Sequence, residues 1–71
     1  MANWQELTNN ELRTAINVIV NRSTSAEQVN QCAKDELGYP YTIAVSYSEP
    51  NEVGQRMSMF MAHAKDGKTL S

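Results

Sequence analysis

A chain of 71 residues with eight acidic and six basic side chains has room for one domain and carries no strong field. Its cations, Arg13, Arg22, Lys34, Arg56, Lys65 and Lys68, are scattered along the sequence. That argues against non-specific nucleic-acid binding, which needs clustered cations to neutralise phosphates. The acidic residues are equally dispersed, which argues against a carboxylate-covered mimic of DNA. With one cysteine, Cys32, and one histidine, His63, the chain can form no internal disulfide and no Cys/His structural metal site. A domain this small buries a modest share of its surface, so tight helix packing or self-association has to supply the remaining stability.

The opening residues, Met1-Ala2-Asn3-Trp4-Gln5, lack the basic and then apolar order of a secretory signal. No apolar run approaches the ~20 residues that cross a bilayer. Together with an unpaired cysteine these features predict a cytoplasmic protein with no membrane partner. Asn3 to Glu6 can form a first turn capped by Asn3, with Trp4 as a core anchor.

Thr8-Asn9-Asn10-Glu11 has the spacing of a capping box, and Leu7 and Leu12 have that of a hydrophobic staple. A helix is predicted to start near Asn9 and end near Asn21-Arg22. Leu12, Ala15, Ile16, Ile19 and Val20 form its buried stripe, with Val18 off it. Ser23-Thr24-Ser25 supplies a turn and a second cap, since both Thr24 to Glu27 and Ser25 to Gln28 satisfy the box spacing. The second helix runs to about Leu37 with Ala26, Val29, Cys32, Ala33 and Leu37 on its apolar face. Gly38 ends it, and Tyr39-Pro40 prevents its continuation. Two helices joined by so short a turn pack antiparallel.

Tyr39 to Tyr47 holds all three tyrosines and is the one run with plain strand character. Tyr41, Ile43, Val45 and Tyr47 share one face; Thr42, Ala44 and Ser46 share the other. A strand needs a hydrogen-bonding partner, either later in this chain or in a second copy. The segment after it has two readings. In the preferred one Pro50 begins a third helix, Val53, Met57, Phe60, Met61 and Ala64 form its stripe, and Gly67 ends it. Lys68 to Ser71 then fray. In the other, Glu49 to Gln55 is a hairpin loop, and Arg56 to Ala64 is a strand paired with Tyr41 to Tyr47. The predicted fold is therefore mainly α, in the order α-α-β-α. It comprises a helix hairpin and one short strand at about 41–47 that pairs across an oligomer. The alternative is α+β, α-α-β-β, with a C-terminal hairpin.

Candidate chemistry is sparse. His63 and Asp66 could be a base and its orienter on a helix, but a surface pair at a helix end is the preferred reading. Cys32 lies on an apolar stripe with no cation to activate it. Asp35 and Glu36 are adjacent and diverge on a helix. Gly38, Gly54 and Gly67 are isolated, so no phosphate-cradling loop is present. No catalytic residue, cofactor or metal is expected. The unusual feature is the methionine cluster, Met57, Met59 and Met61: methionine surfaces adapt to partners, and gap-filling in a small core explains them as readily. The expected function is a non-enzymatic protein-interaction module: an inhibitor, adaptor or assembly factor. Its partner-binding residues are Tyr39, Tyr41, Tyr47, Arg56, Met57, Met59 and Met61. Its partners are a second copy, as a homodimer or higher oligomer, and another protein. A small helix-turn-helix-like regulator reading DNA through Gln28, Asn30, Gln31 and Lys34 is the alternative, with nucleic acid the less favoured partner.

Overall fold

The computed structural model describes residues 3–71. After a 3-10 turn at Trp4–Glu6 come α1 (Asn9–Arg22) and α2 (Ala26–Leu37), then β1 (Ala44–Tyr47), β2 (Ser58–His63) and β3 (Thr69–Leu70). The three strands form one antiparallel sheet in the order β1-β2-β3. Both helices pack on one face of it, and the other face is open.

The helices start and stop where their residues dictate. The Thr8 hydroxyl accepts from the Glu11 N–H at 3.2 Å while the Glu11 carboxylate accepts from the Thr8 N–H at 2.9 Å, a complete capping box. Ser25 caps α2 through the Gln28 N–H, and the Gln28 side chain reaches back to the N–H and hydroxyl of Thr24. Gly38 ends α2 at φ 64°, a left-handed geometry that a Cβ would strain. Leu12, Ile16, Ile19 and Val20 of α1 form one core with Val29, Ala33 and Leu37 of α2, the sheet residues Phe60, Ala62 and Leu70, and Ile43 and Ala64 beside the strand ends. Trp4 closes this core at one end, edge-on to Tyr39 and Tyr41 at centroid distances of 5.3 and 5.7 Å.

The C-terminal third is not a helix, and the fold is α-α-β-β-β rather than α-α-β-α. The strand near 41–47 finds its partner within the chain. β1 pairs with β2 in the register Ala44↔Met61, Val45↔Phe60, Ser46↔Met59 and Tyr47↔Ser58. No second copy is needed to satisfy it, so the expected strand pairing across an oligomer is set aside. The alternative hairpin is nearer, but it too lacked β3: Thr69–Leu70 pairs with Ala62 and His63, and Leu70 is buried.

The hairpin wins because its loop and its pattern both favour it. The Asn51 carboxamide oxygen accepts from the N–H groups of Val53 and Gln55, folding the loop onto itself. The Ser48 hydroxyl donates to the Met57 carbonyl and accepts from the Met57 N–H, zipping up the loop base. Pro50 sits in this loop and not at a helix start. Along β2 the residues Phe60 and Ala62, and Ala64 just after it, turn to the core while Met59, Met61 and His63 turn to water. A helix would have buried Val53, Met57 and Met61 instead, and all three are exposed. Gly67, at φ 85°, is the left-handed residue of the β2–β3 turn, where the Gly67 N–H bonds the Ala64 carbonyl.

β1 is shorter than the run of strand-forming residues because two side chains replace backbone partners at its start. The Tyr39 hydroxyl donates to the His63 carbonyl at 2.7 Å and accepts from the His63 N–H at 2.8 Å, where Thr42 would pair in a longer strand. The Asn30 carboxamide accepts from the Ile43 N–H at 2.7 Å and donates to the Ile43 carbonyl at 3.1 Å.

Candidate protein-interaction face

Side-chain alternation builds the candidate site. Once Phe60 and Ala62 face the helices, Met59 and Met61 must face outward. Met57, Met59 and Met61 are 76 %, 73 % and 58 % exposed. Opposite them on β1 stand Ser46 and Ala44, whose side chains are small. The outer face therefore has relief: a ridge of methionines along β2 and a trough of small side chains along β1. A shallow, almost wholly apolar depression of about 180 Å³ lies between Ala44, Ser46, Met59 and Met61. β1 and β2 contain no Asp, Glu, Lys or Arg. Exposed His63 and Thr69 are paired across β2 and β3 at one end of the face, and half-exposed Tyr41 stands edge-on to His63 at 6.3 Å.

Among the described residues, no strand pairs with the outer edge of β1. The Ser48 N–H donates to Met57, so even-numbered main-chain groups of β1 turn toward β2, and alternation turns Val45 and Tyr47 away from it. Asn30 occupies this outer edge only at Ile43.

The predicted partner-binding residues divide. Met57, Met59, Met61, Tyr41 and Arg56 are exposed, with Arg56 at the hairpin end of the ridge. Tyr39 is buried, at 1 % exposure, and serves the fold through His63. Tyr47 is half-buried, and its hydroxyl donates to the Val20 carbonyl at the end of α1. Burial pushes both of these phenols above the ordinary tyrosine range; for Tyr39 the hydrogen bond with His63 opposes part of that shift. Arg56 lines a cleft of about 480 Å³ with Tyr47, Gly54 and, from the end of α1 and the turn after it, Val20, Asn21, Ser23 and Thr24. Ala44 and Ser46 were missed because a strand's outward small residues carry no signal until the opposite strand is known.

The other candidates are separated by the fold. Asp66 accepts from the Lys68 N–H and the Asn9 amide, which hold its carboxyl below the usual range. Among the described residues, the hydrogen bonds of its carboxylate go to Asn9 and Lys68 and not to His63. Cys32 is half-buried against the core. On α2, Gln31 bonds Asp35 and Glu36 is paired with Arg22 at 2.8 Å, so the exposed surface of this helix mixes amides with carboxylates. Among the described residues, no group of three His, Cys, Asp or Glu side chains is arranged to hold a metal, and no helix is long and apolar enough to cross a membrane. No protein-family model, curated protein or solved structure matches the chain.

Proposed function

We propose that this chain is a non-enzymatic protein-interaction module of the cytoplasm. It acts as an inhibitor, adaptor or assembly factor, and it docks through the outer face of its sheet. The observation that supports the reading is the ridge of Met57, just before β2, and Met59 and Met61 on it, in a hairpin whose strands β1 and β2 carry no ionic side chain. An apolar row at alternate strand positions is ordinarily covered by a second layer. Here it faces water, and methionine's unbranched, polarisable side chain suits a surface that must adapt to a partner. Tyr41 at the His63 end supplies the aromatic rim that interfaces favour, while Arg56 lies toward the α1–α2 turn. DNA recognition by α2 gains no comparable support, because the Gln31 amide is engaged by the Asp35 carboxylate, which would repel phosphate.

Affinity capture tests the reading. Wild-type chain and a Met59→Glu, Met61→Glu double variant, its fold checked by circular dichroism, are immobilised and exposed to the same extract. The expected outcome is at least one protein retained by the wild type and lost from the variant. Identical retention profiles would remove the outer face from consideration as a docking surface.

A further inference from the structure

We propose that the outer sheet face closes on a second copy of the chain, face to face, with the methionine ridge of each copy seated in the small-residue trough of the other. The inference rests on the interaction-face reading and names an occupant for it.

Three observations select a second copy. The first is shape. Ridge and trough lie side by side in one chain, since Met61 is opposite Ala44 and Met59 is opposite Ser46. A two-fold axis running along the strands, above the seam between β1 and β2, lays β2 of one copy over β1 of the other. Every ridge then meets a trough, as an isologous interface requires. A partner with a flat apolar surface would leave the depression of about 180 Å³ unfilled. The second is charge. A two-fold contact brings like residues near one another, and a face whose two main strands lack Asp, Glu, Lys and Arg closes on itself without like-charge repulsion. The third is area. The three methionines alone expose on the order of 400 Å², about half of the ~800 Å² that one partner buries in a standard interface. Ala44, Ser46, Tyr41, His63 and Thr69, all exposed, extend the patch toward that figure. An interface at this lower end of the range gives a weak, reversible dimer that dissociates on dilution.

This contact differs from pairing through the β1 edge. Face-to-face packing uses side chains and leaves the main-chain groups of Val45 and Tyr47 free. The two arrangements therefore respond to different substitutions.

Size-exclusion chromatography with light scattering, from about 1 μM to about 1 mM, gives the first readout. The expected wild-type mass rises from one chain toward two across the series, and Met59→Glu stays at one chain throughout. A wild type with the mass of one chain at every concentration overturns the proposal. So does a dimer that survives Met59→Glu and Met61→Glu together, since its contact must then lie elsewhere. Isotope-filtered NMR on an equimolar mix of labelled and unlabelled chains reads the register directly. Cross-peaks between Met59 or Met61 methyls of one copy and the Ala44 methyl of the other are expected. If the chain stays monomeric and the capture experiment still finds a Met59-dependent partner, self-association fails and the interaction-face reading stands. If both fail, both are wrong.

Discussion

Two side chains hold the sheet's open corner by standing in for backbone. Tyr39 and Asn30 each make the paired donor and acceptor contacts that a neighbouring strand would make, one to His63 and the other to Ile43. Removing the Tyr39 hydroxyl leaves both main-chain groups of His63 without a partner in a half-buried place. Tyr39→Phe is therefore expected to lose roughly 2–4 kcal/mol in urea unfolding. A loss under 0.5 kcal/mol would mean that water replaces the hydroxyl freely. Tyr39 also sets an alkaline limit. Its burial raises the phenol's folded pKa above the unfolded value near 10. The stability this contributes is whole below pH 10 and drains away as pH rises through the folded pKa. None of this was legible in the sequence, because the hydroxyl and its partner are 24 residues apart. A tyrosine in a strand-like run gave no sign that it would end a helix hairpin and point into the core.

At the scale of elements, the helices were readable and the C-terminal third was not. Capping boxes and the glycine stop act within four residues, so Thr8, Glu11, Ser25 and Gly38 announce α1 and α2 directly. From Val53 to Ala64 the apolar residues satisfy both periods, with Met57, Phe60, Met61 and Ala64 at helical spacing and Phe60, Ala62 and Ala64 at strand spacing. Methionine and alanine favour the helix locally. The strand prevails because β1 needs a partner and the Asn51 and Ser48 contacts close the loop between them. Asn51→Ala should therefore weaken the hairpin specifically, speeding amide exchange in β1 and β2 while α1 retains its protection; uniform acceleration would show that the loop has no local role. The capping box makes a further prediction in acid. Hydrogen bonding from the Thr8 N–H, and then from its hydroxyl, holds the Glu11 carboxyl below the usual carboxylate range. A depressed folded pKa gives stability that is present above the unfolded value, near 4.3, and lost as pH falls through the folded one. Glu11→Gln should flatten the acid limb of a plot of melting temperature against pH. An unchanged limb would place the acid sensitivity at Asp66 or elsewhere.

For the molecule as a whole, the open sheet face and the small core are two sides of one economy. Two helices cover one face of a three-stranded sheet, and among the described residues no third layer covers the other. If a second copy supplies that layer, folding and association are linked, and the melting temperature depends on concentration. The midpoint then rises with total chain once the concentration passes the dissociation constant, by a few degrees per tenfold increase for a domain of this size. Met59→Glu removes the dependence. The monomer itself should be little affected, within about 0.5 kcal/mol, because Met59 is largely in water and makes few core contacts. Differential scanning calorimetry of both chains at about 10 μM and about 500 μM separates the terms. Converging midpoints at low concentration and diverging ones at high concentration mean that the face is covered by association. A variant that melts far below wild type even at 10 μM would mean that Met59 supports the monomer's own fold, and the ridge would then be part of the core's architecture and not a surface kept free for a partner.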